Sequence, residues 1–235
     1  MILSPNWLDL WIAKELAGYL KVHPLFDLGV QSAIAHNVLG GFWFGAALFI
    51  LWMQGQKVGR SDLQLRLLTT LIGSTVAILI MLLAENLIHC PPPAHNPDLK
   101  SLFPSYIYMN TDPNSFPSQS TTLYSCVAAG IYSLHKATGW VLWVMVAVLV
   151  ALPRMYMGGH YLSDIFTGFV IGMAGYAIAR YFLEARLTAK IGPFLERKPR
   201  LQLLSEVIVF AWILQVAVEF KDVVWLKNIL VFIVG

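Results

Sequence analysis

Long apolar runs, broken at intervals by short polar stretches, dominate this chain. Such runs fall at about residues 36–53, 65–88, 118–134, 140–152, 161–183 and 203–220. Most of them approach the roughly 20 residues that a helix needs to cross a bilayer. The fourth reaches that length only if it extends toward Arg154. The pattern predicts an all-α fold, a polytopic membrane bundle of about six transmembrane helices. Residues 6–22 differ: Trp7, Leu8, Leu10, Trp11, Ile12, Leu16 and Leu20 alternate with Asp9, Lys14 and Glu15. That amphipathic mixture predicts a helix lying along the membrane surface rather than crossing it. The expected division is an N-terminal interfacial segment, 1–35, followed by a transmembrane domain, 36–235. The apolar stretch 223–235 is too short to cross again by itself.

Small residues and breakers refine the picture. Gly40, Gly41 and Gly45 in the first span, and Gly168, Gly172 and Gly175 in the fifth, allow helices to approach closely. Pro91, Pro92 and Pro93 stop the second span firmly. They open the longest non-membrane stretch, 89–117, rich in Pro, Asn, Ser and Asp. Loops of that length in compact proteins are commonly functional. Trp43, Trp52, Trp140 and Trp143 read as interface anchors.

Composition narrows the class. Only 12% of the residues are charged and 57% are hydrophobic, whereas soluble chains carry about 25% charged residues. The net charge is +3 with no basic cluster interleaved with aromatics, so nucleic acid is not expected as a partner. Two cysteines, Cys90 and Cys126, cannot form a disulfide framework or a zinc site of usual spacing, and their mutual pairing is open. The start of the chain lacks a basic segment followed by an apolar block, so no cleavable signal peptide is expected. With six spans, Lys57, Arg60, Arg66, Lys136, Arg180, Arg186, Lys190, Arg197, Lys198 and Arg200 share one side. Lys14, Lys21, Lys100, Arg154, Lys221 and Lys227 share the other, which the charge bias turns outward, to periplasm, exterior or lumen.

The chemistry concentrates in Pro153–Asp164. Ionisable groups beside apolar spans are costly unless they pair or serve a site. If Tyr161 opens a helix, His160 and Asp164 lie four residues apart on one face. The carboxylate can then accept a hydrogen bond from one imidazole nitrogen and leave the other free. The plain alternative is a structural ion pair at a helix turn. Arg154 offers a planar fork suited to phosphate oxygens. Upstream, Phe116-Pro117-Ser118-Gln119-Ser120-Thr121 reads as a helix start, whose first-turn amides make either an anion site or a simple N-cap. The topology brings Glu85, His89, Ser118, Arg154, His160 and Asp164 to one outer face. Glu85 needs a partner there, with Arg154 or a loop histidine the best choice.

These residues resemble the type 2 phosphatidic acid phosphatase superfamily. Arg154 through Asp164 is similar to its third signature, S/P-R-x5-H-x3-D, with matching spacing. Pro117-Ser118 stands where the second, P-S-x-H, should lie. The resemblance spans roughly residues 36–185. It implies a phosphohistidine mechanism without metal or other cofactor on a phosphorylated membrane lipid. His160 would attack phosphorus, Asp164 would orient it, and Arg154, Ser118, Gln119 and Ser120 would hold the phosphoryl oxygens. The chain departs from the family where the second signature's histidine reads Ser120. It departs again where the first signature, K-x6-R-P, has Glu85 and Pro92 in place of its cations. A general acid is typically worth about 10²–10⁴-fold. A diphosphate linkage, whose leaving group is already a phosphate, would suffer least from its loss. His89, His95 or Lys100 could replace the missing groups from the loop. The alternative from another class is a non-catalytic relative that binds a lipid headgroup, a partner membrane protein or a second copy of itself. A transporter is weaker, because the polar residues gather at one face.

Overall fold

The computed structural model describes residues 3–36, 40–58, 61–104, 113–184 and 199–219. Arg60, Arg186, Lys190, Arg197, Lys198, Lys221, Lys227 and the 223–235 stretch fall outside the described residues. The fold is all-α: α1 (Trp7–Ala17), α2 (Pro24–Ala35), α3 (Gly41–Val58), α4 (Ser61–Leu87), α5 (Gln119–Leu134), α6 (Lys136–Tyr156), α7 (Leu162–Glu184) and α8 (Pro199–Ala217). Two single 3₁₀ turns, Pro93–His95 and Lys100–Leu102, shape the long loop after α4.

The stretches within Asp62–Leu87, Lys136–Tyr156 and Leu162–Glu184 are long and apolar enough to cross a membrane, and the protein is a membrane protein. The fourth predicted span does extend past Arg154. It widens into a π-helical stretch over Val146–Ala151 just before Pro153, whose missing N–H breaks the regular ladder. The third predicted span, α5, is only 16 residues long. Its residues Ser120–Ala128 are all buried, so its environment is protein on every side. That explains how it carries so many hydroxyls: Thr122 Oγ1, for example, donates to the Ser118 carbonyl at 2.9 Å.

α4, α5 and α7 pack on one another at the centre, with α6 beside α5 and with α3 and α8 paired against them. Phe44, Leu48, Leu71, Leu123, Tyr124 and Ile131 fill the core. The α7 glycines set the central contacts. A Cβ at Gly168 would stand 2.7 Å from the Ser118 oxygen, and one at Gly175 would stand 2.6 Å from Ala77 Cβ. A Cβ at Gly172 would collide with the Thr122 carbonyl. Gly172→Leu is therefore expected to cost about 3 kcal/mol or more through backbone displacement. Thermal unfolding in detergent, with loss of a monodisperse species, checks this. At the far end of the bundle Arg66 and Arg180 each pair with Glu184 at 3.1 Å.

The N-terminal segment is two helices rather than one. Asn6 and Asp9 form a capping box that starts α1, and Pro24 stands at the start of α2. α1 buries the narrow stripe Asp9, Ala13 and Ala17 against the ends of α6 and α7, while Trp7 and Trp11 stay exposed. Small side chains make the protein contact, and the aromatic face that suggested amphipathicity points away from it.

Candidate active site

The segment Met157–Tyr161 joins α6 to α7 and is held by the long loop. Gly158 adopts φ 71°, a left-handed conformation that favours glycine, with the Phe103 ring packed where a side chain would be. Ala94 donates its N–H to the Gly158 carbonyl at 3.0 Å, and Asn96 Nδ2 donates to the Tyr161 hydroxyl at 2.9 Å. Burial pushes the Tyr161 phenol up to about 12, so it stays a neutral hydrogen-bonding group.

A second strap runs from Asn114 to Ser118. Asn114 Oδ1 accepts the Cys90 N–H at 2.8 Å, and its amide donates to the carbonyls of Ile88 and Glu85 at 2.9 and 3.1 Å. Ser115 donates to the Cys90 carbonyl from both its N–H, at 2.8 Å, and its hydroxyl, at 3.0 Å. Cys90 and Cys126 are free thiols, both buried. Burial, with the Asp164 and Asp9 carboxylates nearby, pushes the Cys90 thiol up to about 11. An un-ionised thiol of this kind is chemically inert at neutral pH.

The strap delivers one backbone oxygen to the imidazole. His160 Nδ1 lies 2.8 Å from the Ser115 carbonyl, whereas its distance to Asp164 Oδ2 is 3.8 Å. A carbonyl only accepts, so this geometry assigns the proton to Nδ1 and a lone pair to Nε2. The expected hydrogen bond from imidazole to Asp164 is thus replaced by one to Ser115. Asp164 Oδ2 instead accepts the Tyr161 N–H at 2.7 Å and caps α7. Its Oδ1 is buried without a hydrogen-bond partner among the described residues. Asp164 Oδ2, 3.8 Å from the ring, is positioned to stabilise positive charge on it.

Ser118 joins the same cluster, donating its N–H to the Asp164 carbonyl at 3.2 Å. It is the N-cap of α5 by position, yet its hydroxyl pairs with Thr121 Oγ1 at 3.0 Å rather than capping the helix. The first-turn amides of α5 therefore lack a side-chain cap. Ser120 is buried in that turn.

Arg154 has a partner that the sequence did not suggest. Its Nη2 donates to Glu219 Oε1 at 2.6 Å, and Nη1 donates to the Val150 carbonyl at 3.1 Å. Of the two partners expected for Glu85, Arg154 or a loop histidine, Arg154 is thus taken by Glu219 instead. Gln119 Nε2 donates to the Glu219 backbone oxygen at 2.7 Å, so Arg154 and Gln119 converge on one buried residue. Glu219 itself sits at φ 57°, unusual for a residue with a Cβ. His89, His95 and Lys100 are exposed. None of the three makes a hydrogen bond or ion pair with Arg154, His160 or Asp164 among the described residues. Ser115 acts through its backbone and Glu219 lies outside every motif, so neither carries a sequence signal of its role.

Residues 63–187 match the family model of the PAP2 superfamily. The chain belongs to the PAP2 superfamily. The matched region holds Ser118, Arg154, His160 and Asp164 and leaves α1, α2, α3 and Glu219 outside. Among curated proteins that the chain resembles, a bacitracin transport permease protein BcrC of Bacillus licheniformis is 40% identical over 60 residues, 26% of this chain and 29% of that protein. A lipid A 4'-phosphatase of Porphyromonas gingivalis is 30% identical over 97 residues, 40% of this chain and 41% of that protein. The chain thus spans less than half the length of either. The crystal structure of Aquifex aeolicus LpxE superposes with a TM-score of 0.57 at 19% identity, over 77% of this chain and all of that one, a likeness of fold.

Proposed function

We propose that the protein is a membrane lipid-phosphate phosphatase or phosphotransferase that works through a phosphohistidine, with a lipid diphosphate such as a polyprenyl diphosphate as its substrate. The observation that carries this is the hydrogen bond from His160 Nδ1 to the Ser115 carbonyl, which leaves Nε2 with a lone pair. Nε2 attacks phosphorus, the bond from phosphorus to the leaving oxygen breaks, and the phosphoryl group moves to the imidazole. Asp164, 3.8 Å away, stabilises the positive ring that results. Arg154 and the uncapped amides of Gln119 and Ser120 take the charge that develops on the phosphoryl oxygens. Water or another acceptor then attacks phosphorus, the phosphorus–nitrogen bond breaks, and His160 returns to its starting form.

The diphosphate preference rests on Ser120. With a serine where the family has its acid, an alkoxide would have to leave without a proton, whereas a phosphate leaves as a stable anion. The reading places six spans in the bilayer, the site outward by the bias of basic residues, and α1–α2 along the membrane surface. Phosphate release from matched lipid diphosphates and monophosphates tests it. Diphosphate turnover faster by about 10²-fold is expected. Equal rates would remove the leaving-group argument, and no release from any lipid would remove the enzyme.

Glu219 supports a second function. Its carboxylate occupies an Arg154 donor that a phosphoryl oxygen would otherwise use. A relative that only binds a lipid headgroup or a partner membrane protein tolerates such a plug, and absence of phosphate release would favour it.

A further inference from the structure

The segment that carries His160 is gripped at both ends by the N-terminal helices, which lie outside the family match. At its downstream end Asp9 Oδ1 of α1 accepts the N–H of Ser163, in the first turn of α7, at 2.9 Å. At its upstream end Asp27 Oδ1 of α2 accepts the hydroxyl of Tyr156, the last residue of α6, at 2.6 Å. Both carboxylates are almost wholly buried, 2% and 0% exposed. Their second oxygens are occupied too: Asp9 Oδ2 accepts the Asn6 N–H at 3.2 Å and Asp27 Oδ2 accepts the Lys21 N–H at 3.1 Å. Lys21 adopts a left-handed φ of 72° at the turn that presents this N–H. Buried carboxylates are expensive to keep unless fixed donors satisfy them. Two of them, spent on opposite ends of one five-residue loop, exceed what is needed to dock a pair of amphipathic helices by apolar contact.

We propose that α1 and α2 form a clamp on the catalytic loop, with Asp9 and Asp27 as positioning residues for His160. This rests on the assignment of His160 as nucleophile. The loop between the two grips carries Gly158 and Gly159, whose backbone freedom would otherwise let the imidazole swing away from the Ser115 carbonyl. Fixing Tyr156 and Ser163 fixes the span over which that freedom can act.

The test uses the full chain in lipid nanodiscs. Asp9→Ala and Asp27→Ala are each expected to lower kcat about tenfold or more while KM stays within about twofold, because geometry at the nucleophile is lost and substrate binding is not. Asp9→Asn keeps an oxygen for the Ser163 N–H and is expected to recover most of the rate, a rescue that a general packing defect would not show. If an alanine variant does not fold, Tyr156→Phe removes the hydroxyl alone and is expected to lower kcat in the same way. Amide exchange over residues 157–163 is expected to speed up in the alanine variants. Unchanged kcat, or a loss that falls on KM, would overturn the clamp. If the wild type releases no phosphate at all, the enzymatic assignment fails on its own, and unchanged exchange over 157–163 would still overturn the clamp.

Discussion

Replacing His160 with alanine is expected to abolish phosphate release from every lipid that the wild type hydrolyses, by about 10⁴-fold or more. The reason is that the imidazole forms a bond to phosphorus in the proposed path, and water cannot take over that bond in the same pocket. The replacement should be mild structurally. His160 is partly exposed and, among the described residues, makes one hydrogen bond, to the carbonyl of Ser115, a residue that two hydrogen bonds to the Cys90 carbonyl anchor independently. Loss of rate with an unchanged melting temperature is therefore the expected signature. Rapid quench of wild type with labelled substrate should trap phosphate on protein as an acid-labile adduct, and His160→Ala should trap none. Retained turnover in that variant would remove the nucleophile.

Arg154→Ala is expected to damage stability as well as activity. The guanidinium and the Glu219 carboxylate are both buried, 2.6 Å apart. Removing one partner of such a pair leaves an uncompensated buried charge, at a cost of about 3–5 kcal/mol. The paired replacement Arg154→Met with Glu219→Leu removes both charges and should recover most of that loss, since an apolar pair of similar volume is often as stable as the ion pair. Activity should not return, because the phosphoryl oxygens still lack their cation. Thermal unfolding in detergent beside phosphate release separates the two effects. If the double variant hydrolyses lipid diphosphate at the wild-type rate, Arg154 has no part in catalysis.

The all-α class and the rough bounds of α3 to α8 were legible because burial in lipid or in a helical core demands apolar runs of definite length. The start of α5 at Gln119 and of α7 at Leu162 could be anticipated within a residue or so, from Pro117-Ser118 and from the Gly158-Gly159 bend. The extension of α6 to Tyr156 was conditional in the sequence, since nothing local distinguishes a helix that ends before Pro153 from one that admits it through a π turn. The division of the first 35 residues into two helices was missed. Its helical character was legible, but the small-residue stripe Asp9, Ala13 and Ala17 that makes the contact is hidden among stronger apolar signals.

The sequence by itself determined the all-α membrane class and the identity of the signature side chains, because apolar length and the spacing from Arg154 through His160 to Asp164 are local properties of the chain. Only the tertiary structure decided what each of those side chains touches. His160 turns to the Ser115 carbonyl, Arg154 takes Glu219 from 65 residues away, and Asp9 reaches Ser163 from 154 residues away. Hydrogen bonds between distant segments depend on how helices pack, and backbone donors and acceptors are the same at every residue. No pattern along the chain could have pointed to them.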